Sequence, residues 1–145
     1  MLQFNLPYPP SINHYYLRTR KGMAINATGK AYRQLIWLTL RECIDKGKKW
    51  RGEALEGDLM VEIIIYPPDK RKRDMDNIKK ALFDALQHAG LYKDDSQIVD
   101  DHTIKINKVV KGGLIDFRIQ SAILPFSLRE SRISIAEEFL KGFSL

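Results

Sequence analysis

With a single cysteine, Cys43, among 145 residues, the chain can form neither an internal disulfide nor a multi-cysteine zinc site, which suits a reducing compartment. Inside an apolar-periodic stretch, that cysteine reads as a small buried side chain of a helix. No apolar run is long enough to span a bilayer. The start, Met1-Leu2-Gln3-Phe4-Asn5-Leu6-Pro7, lacks the cationic opening and continuous apolar core of a secretion signal. The expectation is a cytoplasmic protein with no membrane partner. The three histidines, His14, His88 and His102, lack the i,i+4 spacing of a zinc-binding helix, and none is chosen as a general base. Internal repeats and low-complexity tracts are missing as well. Acid is scarcer than base, with 18 Asp and Glu against 24 Lys and Arg, a net charge of +6 and a pI near 9.4. Such a balance favours an acidic partner, nucleic acid ahead of an anionic membrane.

What stands out is acid set inside base. Four cations, Lys70-Arg71-Lys72-Arg73, run into Asp74-Met75-Asp76-Asn77, with Lys80 four residues beyond Asp76 and a second acidic pair, Asp94-Asp95, farther on. In an extended segment, side chains two apart face the same way, so Asp74 and Asp76 would stand with their Cα atoms about 7 Å apart. One hard cation could bridge them; magnesium keeps several waters and leaves positions open for a phosphate. A plainer reading uses the same residues: Asp74 or Asp76 caps the following helix, and Asp76 and Lys80 form a surface i,i+4 pair. The basic run ending at clustered carboxylates favours phosphate chemistry on a polyanion.

These residues resemble a known family. Arg73-Asp74-Met75-Asp76-Asn77, Lys80, Ala85-Leu86, Ala89-Gly90 and Asp94-Asp95-Ser96-Gln97-Ile98-Val99 are similar to the RusA family of Holliday junction resolvases. So are Pro9-Pro10-Ser11-Ile12-Asn13 with Tyr15-Tyr16, and Lys111-Gly112-Gly113. The likeness spans roughly Leu2 to Ser121 in the same order. It implies a small, dimeric, magnesium-dependent endonuclease that nicks four-way DNA junctions, of a kind often carried by phages and prophages. The family's essential carboxylates fall on Asp74, Asp76 and Asp95, expected to ligate Mg2+, and its essential lysine on Lys80. Asp94 and Asn77 are candidates for supporting those acids. Spacing alone leaves open whether Asp95 approaches Asp74; the resemblance implies that it does.

A coarse pass along the chain gives strands alternating with helices. Leu2 to Leu6 alternates before the Pro7-Tyr8-Pro9-Pro10 brake, as a strand does. Ser11 to Gly29 reads as a loop holding Asn13, Tyr15, Tyr16, Arg18, Arg20 and Lys21. That mixture suits gripping a DNA backbone or stacking on bases, although tyrosines lying against the core would fit equally. Thr28 can cap a helix to about Lys46, with Tyr32, Leu35, Ile36, Thr39, Leu40 and Cys43 as its core stripe. Leu59 to Tyr66 is the clearest strand, apolar on both faces apart from Glu62; the second face hints at a subunit contact or at a central strand. A helix from about Asp76 to Ala89 follows, stopped by Gly90, then strands from Ile98 to Asn107 and Leu114 to Ser121. Ser127 to Phe143 has near-helical apolar spacing and mixed charges, so it is expected to pack on the domain or on the partner subunit.

The expected fold class is therefore α+β, a two-layer sandwich in which a small mixed sheet of about four strands carries two main helices, with a C-terminal helix added. Residues 1–121 would form the nuclease domain and 122–145 an extension. Asp74, Asp76 and Asp95 would hold one or two Mg2+ ions that polarise the scissile phosphate and activate water, and Lys80 would stabilise charge in the transition state. Lys70, Arg71, Lys72 and Arg73 would neutralise flanking phosphates. A homodimer would present two sites to a four-way junction and resolve it by symmetric nicks. Two other functions compete: a non-enzymatic basic DNA-binding module, and a magnesium nuclease for other branched nucleic acids.

Overall fold

The computed structural model describes residues 1–11, 14–47, 50–122 and 135–142. Strand β1 (Leu2–Leu6) alternates as expected, burying Phe4 and Leu6. It ends where three prolines within four residues remove the N–H groups that pairing needs. The stretch expected as a loop from Ser11 to Gly29 instead contains a hairpin, β2 (Tyr16–Thr19) with β3 (Gly22–Ile25), in antiparallel register Tyr16↔Ile25 to Thr19↔Gly22. Its two-residue tip, Arg20-Lys21, closes because Gly22 takes a φ of 114°, which a Cβ would oppose.

Helix α1 (Ala27–Asp45) is capped by Asn26, two residues before the expected Thr28: the Asn26 side chain accepts the Gly29 N–H at 2.9 Å. Tyr32, Ile36 and Leu40 are buried as predicted, and Cys43 packs half-buried beside the core. Leu35 is 47% exposed, because the stripe that meets the sheet is narrower than the run of apolar residues. Strand β4 (Leu59–Tyr66) leads through a loop into helix α2 (Met75–His88), and a single 3-10 turn (Asp95–Gln97) precedes β5 (Ile98–Lys105) and β6 (Leu114–Ser121). Gly90, with φ 86°, terminates α2, and the Leu91 N–H returns to the Leu86 carbonyl.

The sheet runs β1-β6-β4-β5, with β4 and β5 parallel and the other pairings antiparallel. This is the α+β architecture expected from sequence. Every second residue of β4 and β6, Leu59, Val61, Ile63 and Ile65 with Ile115, Phe117 and Ile119, lies buried with Phe4 and Leu6. The inner stripes of both helices join that core, including Ile78, Ala81, Leu82, Ala85 and Leu86 of α2. The opposite face of β4, Met60, Glu62, Ile64 and Tyr66, is only half-buried within one chain. Because α2 joins two parallel neighbours, it runs back along the sheet, its N-terminus at the carboxyl end of β4 and its C-terminus near the start of β5.

Residues 135–141 are helical, and Ile135, Phe139 and Leu140 stay exposed in the single chain. The earlier part of the expected C-terminal helix, from Ser127, and its end at Phe143 fall outside the described residues. Among the described residues, no helix is long and apolar enough to cross a membrane.

Candidate active site

At the carboxyl end of β4 the chain reverses into α2, and Asp74 makes the turn possible. Its backbone is extended, and its Oδ1 accepts the Asp76 N–H at 3.0 Å as the helix N-cap. The capping reading is therefore correct for Asp74, yet it uses one oxygen and the residue remains exposed. Asp76 and Asn77 occupy the first turn and Lys80 the next, all exposed. Two carboxylates and an ammonium thus follow one another at the positive end of a helix dipole, which suits negative charge.

The basic loop before Asp74 is more organised than a solvated run. Arg73 donates to both Asp69 oxygens, at 2.6 and 2.8 Å, and Arg71 donates to the same carboxylate through its side chain and its backbone N–H. Held by Arg73 and then Arg71, the Asp69 carboxyl sits well below the usual carboxylate range. Arg73 also lies 5.8 Å from the Tyr8 ring centroid. Its carbonyl accepts Lys105 Nζ from β5 at 2.8 Å. Arg71 and Arg73, expected to contact DNA, are thereby engaged within the loop, leaving Lys70 and Lys72 as its exposed, uncommitted cations. A cleft of about 440 Å³ opens between residues 67–73 and 105–109, lined by these cations and Lys105. Asp69 and Lys105 were not singled out from sequence; the i,i+4 relation of Asp69 to Arg73 was the available signal.

Asp95 is elsewhere. Its N–H donates to the Gln87 side chain at 3.0 Å, at the far end of α2. Thirteen residues of helix separate Gln87 from Asp74, about 20 Å at 1.5 Å per residue. The sheet gives the same separation, because Asp95 precedes Ile98, paired with the start of β4, whereas Lys105 at the other end of β5 touches Arg73. Asp94, expected to support the acids, caps the 3-10 turn: its carboxylate accepts the Ser96 N–H, and Gln97 returns to the Asp94 N–H. Burial, then the Asp94 and Asp84 charges, push the Asp95 carboxyl up. Within one chain Asp74, Asp76 and Lys80 share the first turns of α2, and Asp95 does not gather with Asp74 and Asp76; its charge acts instead on Tyr16 and Asp84.

The aromatic and basic segment divides. Tyr15 is fully buried and its hydroxyl donates to Asp84 at 2.5 Å, so of the two readings of this tyrosine, DNA contact or packing against the core, it follows the second. Burial and the Asp84 bond raise its pKa well above the ordinary tyrosine value. Tyr16 is half-buried, its ring centroid 5.3 Å from Lys80 Nζ. Arg18 on β2 and Arg20 and Lys21 at the hairpin tip are exposed, and Asn13 lies outside the described residues. Asp84 and Arg33, which sequence reasoning missed, form an ion pair at 2.8 Å. The spacing Asp76, Lys80, Asp84 along one helix face was the signal for the first of them.

Among the described residues, no three His, Cys, Asp or Glu side chains gather to hold a metal ion. The Asp74 and Asp76 pair nevertheless fits a hydrated divalent cation, since magnesium takes one or two carboxylates and fills its other positions with water and phosphate oxygen.

Comparison with known proteins identifies the family. A family model described as Endodeoxyribonuclease RusA matches residues 7–115. A crossover junction endodeoxyribonuclease RusA of Shigella sonnei (strain Ss046) is 39% identical over 115 residues, which cover 79% of this chain and 89% of the relative. Proteins of that name from Escherichia coli (strain K12), at 38%, and Enterobacteria phage 82, at 39%, match over the same shares. The cationic loop, the capping aspartate, Lys80 and the Asp94-Asp95 turn all lie inside the matched span, and the chain belongs to the RusA endodeoxyribonuclease family.

Proposed function

We propose that this chain is a magnesium-dependent endonuclease that resolves four-way DNA junctions by paired symmetric nicks, acting as a homodimer. The observation that carries the reading is the exposed sequence Asp74, Asp76, Lys80 along the first turns of α2, beside a braced cationic loop. Family membership supports nuclease chemistry at that place, and relatives covered over 89% of their length are named for crossover junctions.

Asp74 and Asp76 would hold the divalent cation, Asp74 through the oxygen its cap bond leaves over. When bound, that ion supplies charge neutralisation at the phosphate and a readily deprotonated water. Lys80 places a fixed positive charge beside the scissile group, where its value grows as charge develops on the departing oxygen. Lys70 and Lys72 neutralise neighbouring phosphates and set the strand's path without reading bases. Asp69 and Lys105 keep the loop from rearranging as those phosphates arrive.

Asp95 joins the ligand set only from a second chain, because its own helix holds it away. A two-fold dimer setting the Asp95 end of one α2 against the Asp74 end of the other completes two sites at once. Such a dimer faces a substrate that also presents two equivalent phosphates. Purified protein incubated with end-labelled four-way junction should nick symmetric strands with magnesium and leave them intact with a chelator. Equal cleavage of linear duplex and junction would reject resolvase selectivity in favour of a general nuclease.

A further inference from the structure

Lys80 stands between two carboxylates at the same helical spacing, Asp76 one turn before it and Asp84 one turn after. Pairs at i,i+4 form in either direction. The ammonium can therefore reach toward the Asp74 and Asp76 end or be drawn back to Asp84. The charge of Asp84 is already paired through one oxygen: the Tyr15 hydroxyl donates to its Oδ2 at 2.5 Å, and Arg33 donates to the same oxygen from Nε at 3.0 Å and Nη2 at 2.8 Å. Arg33 Nε also reaches the Tyr15 hydroxyl, closing the cluster. Adjacent to it, the Tyr15 and Tyr16 ring centroids stand 4.8 Å apart, and the Tyr16 ring sits 5.3 Å from Lys80 Nζ.

Helix α1, the start of the hairpin and helix α2 thus converge on one lysine. We propose that the Tyr15–Asp84–Arg33 cluster and the Tyr16 ring position Lys80: Arg33 neutralises the carboxylate that would capture its ammonium, and Tyr16 holds that ammonium over a ring face. These are positioning residues, since none of them touches the reacting atoms. Tyr16 acts here through Lys80 and not by stacking on a base, because a cation against an aromatic face takes the surface that a base would need. The inference rests on Lys80 serving the scissile phosphate, as proposed above.

The test uses the full chain with magnesium, measuring junction affinity and the single-turnover cleavage rate at saturating protein. Tyr16→Leu should slow cleavage roughly tenfold through misplacement of the ammonium while leaving junction affinity nearly unchanged. Tyr16→Phe keeps the ring and should cleave at the parent rate. Arg33→Gln, which releases Asp84, should slow cleavage, and adding Asp84→Asn should restore it by removing the competing charge. In a Lys80→Met background, Tyr16→Leu should cause no further loss. Additive losses in that background, or a Tyr16→Leu variant that binds weakly yet cleaves normally at saturation, would overturn the positioning role. Parent-like cleavage by Lys80→Met alone would instead refute the role given to Lys80 itself.

Discussion

Asp74 performs two tasks with one carboxylate, and a single substitution separates them. Asparagine caps helices as well as aspartate does, so Asp74→Asn should leave α2 intact, with an unchanged urea midpoint, while removing a cation ligand. Cleavage by Asp74→Asn or Asp76→Asn should fall by about a hundredfold or more, with junction binding kept or tightened as negative charge leaves the site. Retained cleavage in both variants would refute the assigned acids. Asp69 makes a different prediction. Its carboxyl is held below its ordinary value, chiefly by Arg73 and then Arg71, so the stability it contributes is present above the unfolded-state value and lost as pH falls through the folded one. Asp69→Asn should therefore be less stable than the parent at neutral pH, with the two unfolding curves converging in strong acid. A constant gap across that range would show that the arginines are not its source of stability.

Elements were legible where one face alternates or repeats cleanly and illegible where a bond across elements decides. Leu2–Leu6, Leu59–Tyr66 and Leu114–Ser121 could be read directly, because period-two burial is written into their residues. The stop of α2 was equally visible in Gly90. The hairpin was missed because Tyr16–Thr19 and Gly22–Ile25 are short and mostly exposed, so no apolar alternation marks them. Asp74, Asp76 and Lys80 were legible as a local run; the separation of Asp95 was not, since it depends on Gln87 and on the parallel pairing of β4 with β5. What seats the hairpin on α1 is a missing side chain. A Cβ on Gly29 would lie 2.5 Å from the Tyr15 carbonyl oxygen and 2.7 Å from Ile25 Cγ2. Gly29→Ala should cost about 1–3 kcal/mol in chemical denaturation. It should also slow cleavage by disturbing Tyr15 and Tyr16, whereas parent-like stability would mean the hairpin can shift freely.

At the scale of the whole molecule, the site requires two chains if Asp95 completes it, and mixed dimers test that requirement. Asp76→Asn and Asp95→Asn are each expected to be inactive alone. In a dimer of one of each, a shared arrangement places both lesions in one site and leaves the other intact, so mixing should recover nicking of one strand. Sites built within single chains would stay dead on mixing. The sheet order has its own consequence for how the enzyme comes into being. Strand β6 lies between β1 and β4, pairing residues 2–6 with 115–119, nearly the whole chain apart. A ribosome must therefore have released everything from β1 to β6 before the first strand finds its neighbour. Until then the nascent chain lacks the platform beneath α2, so this nuclease should remain harmless to DNA throughout its own synthesis.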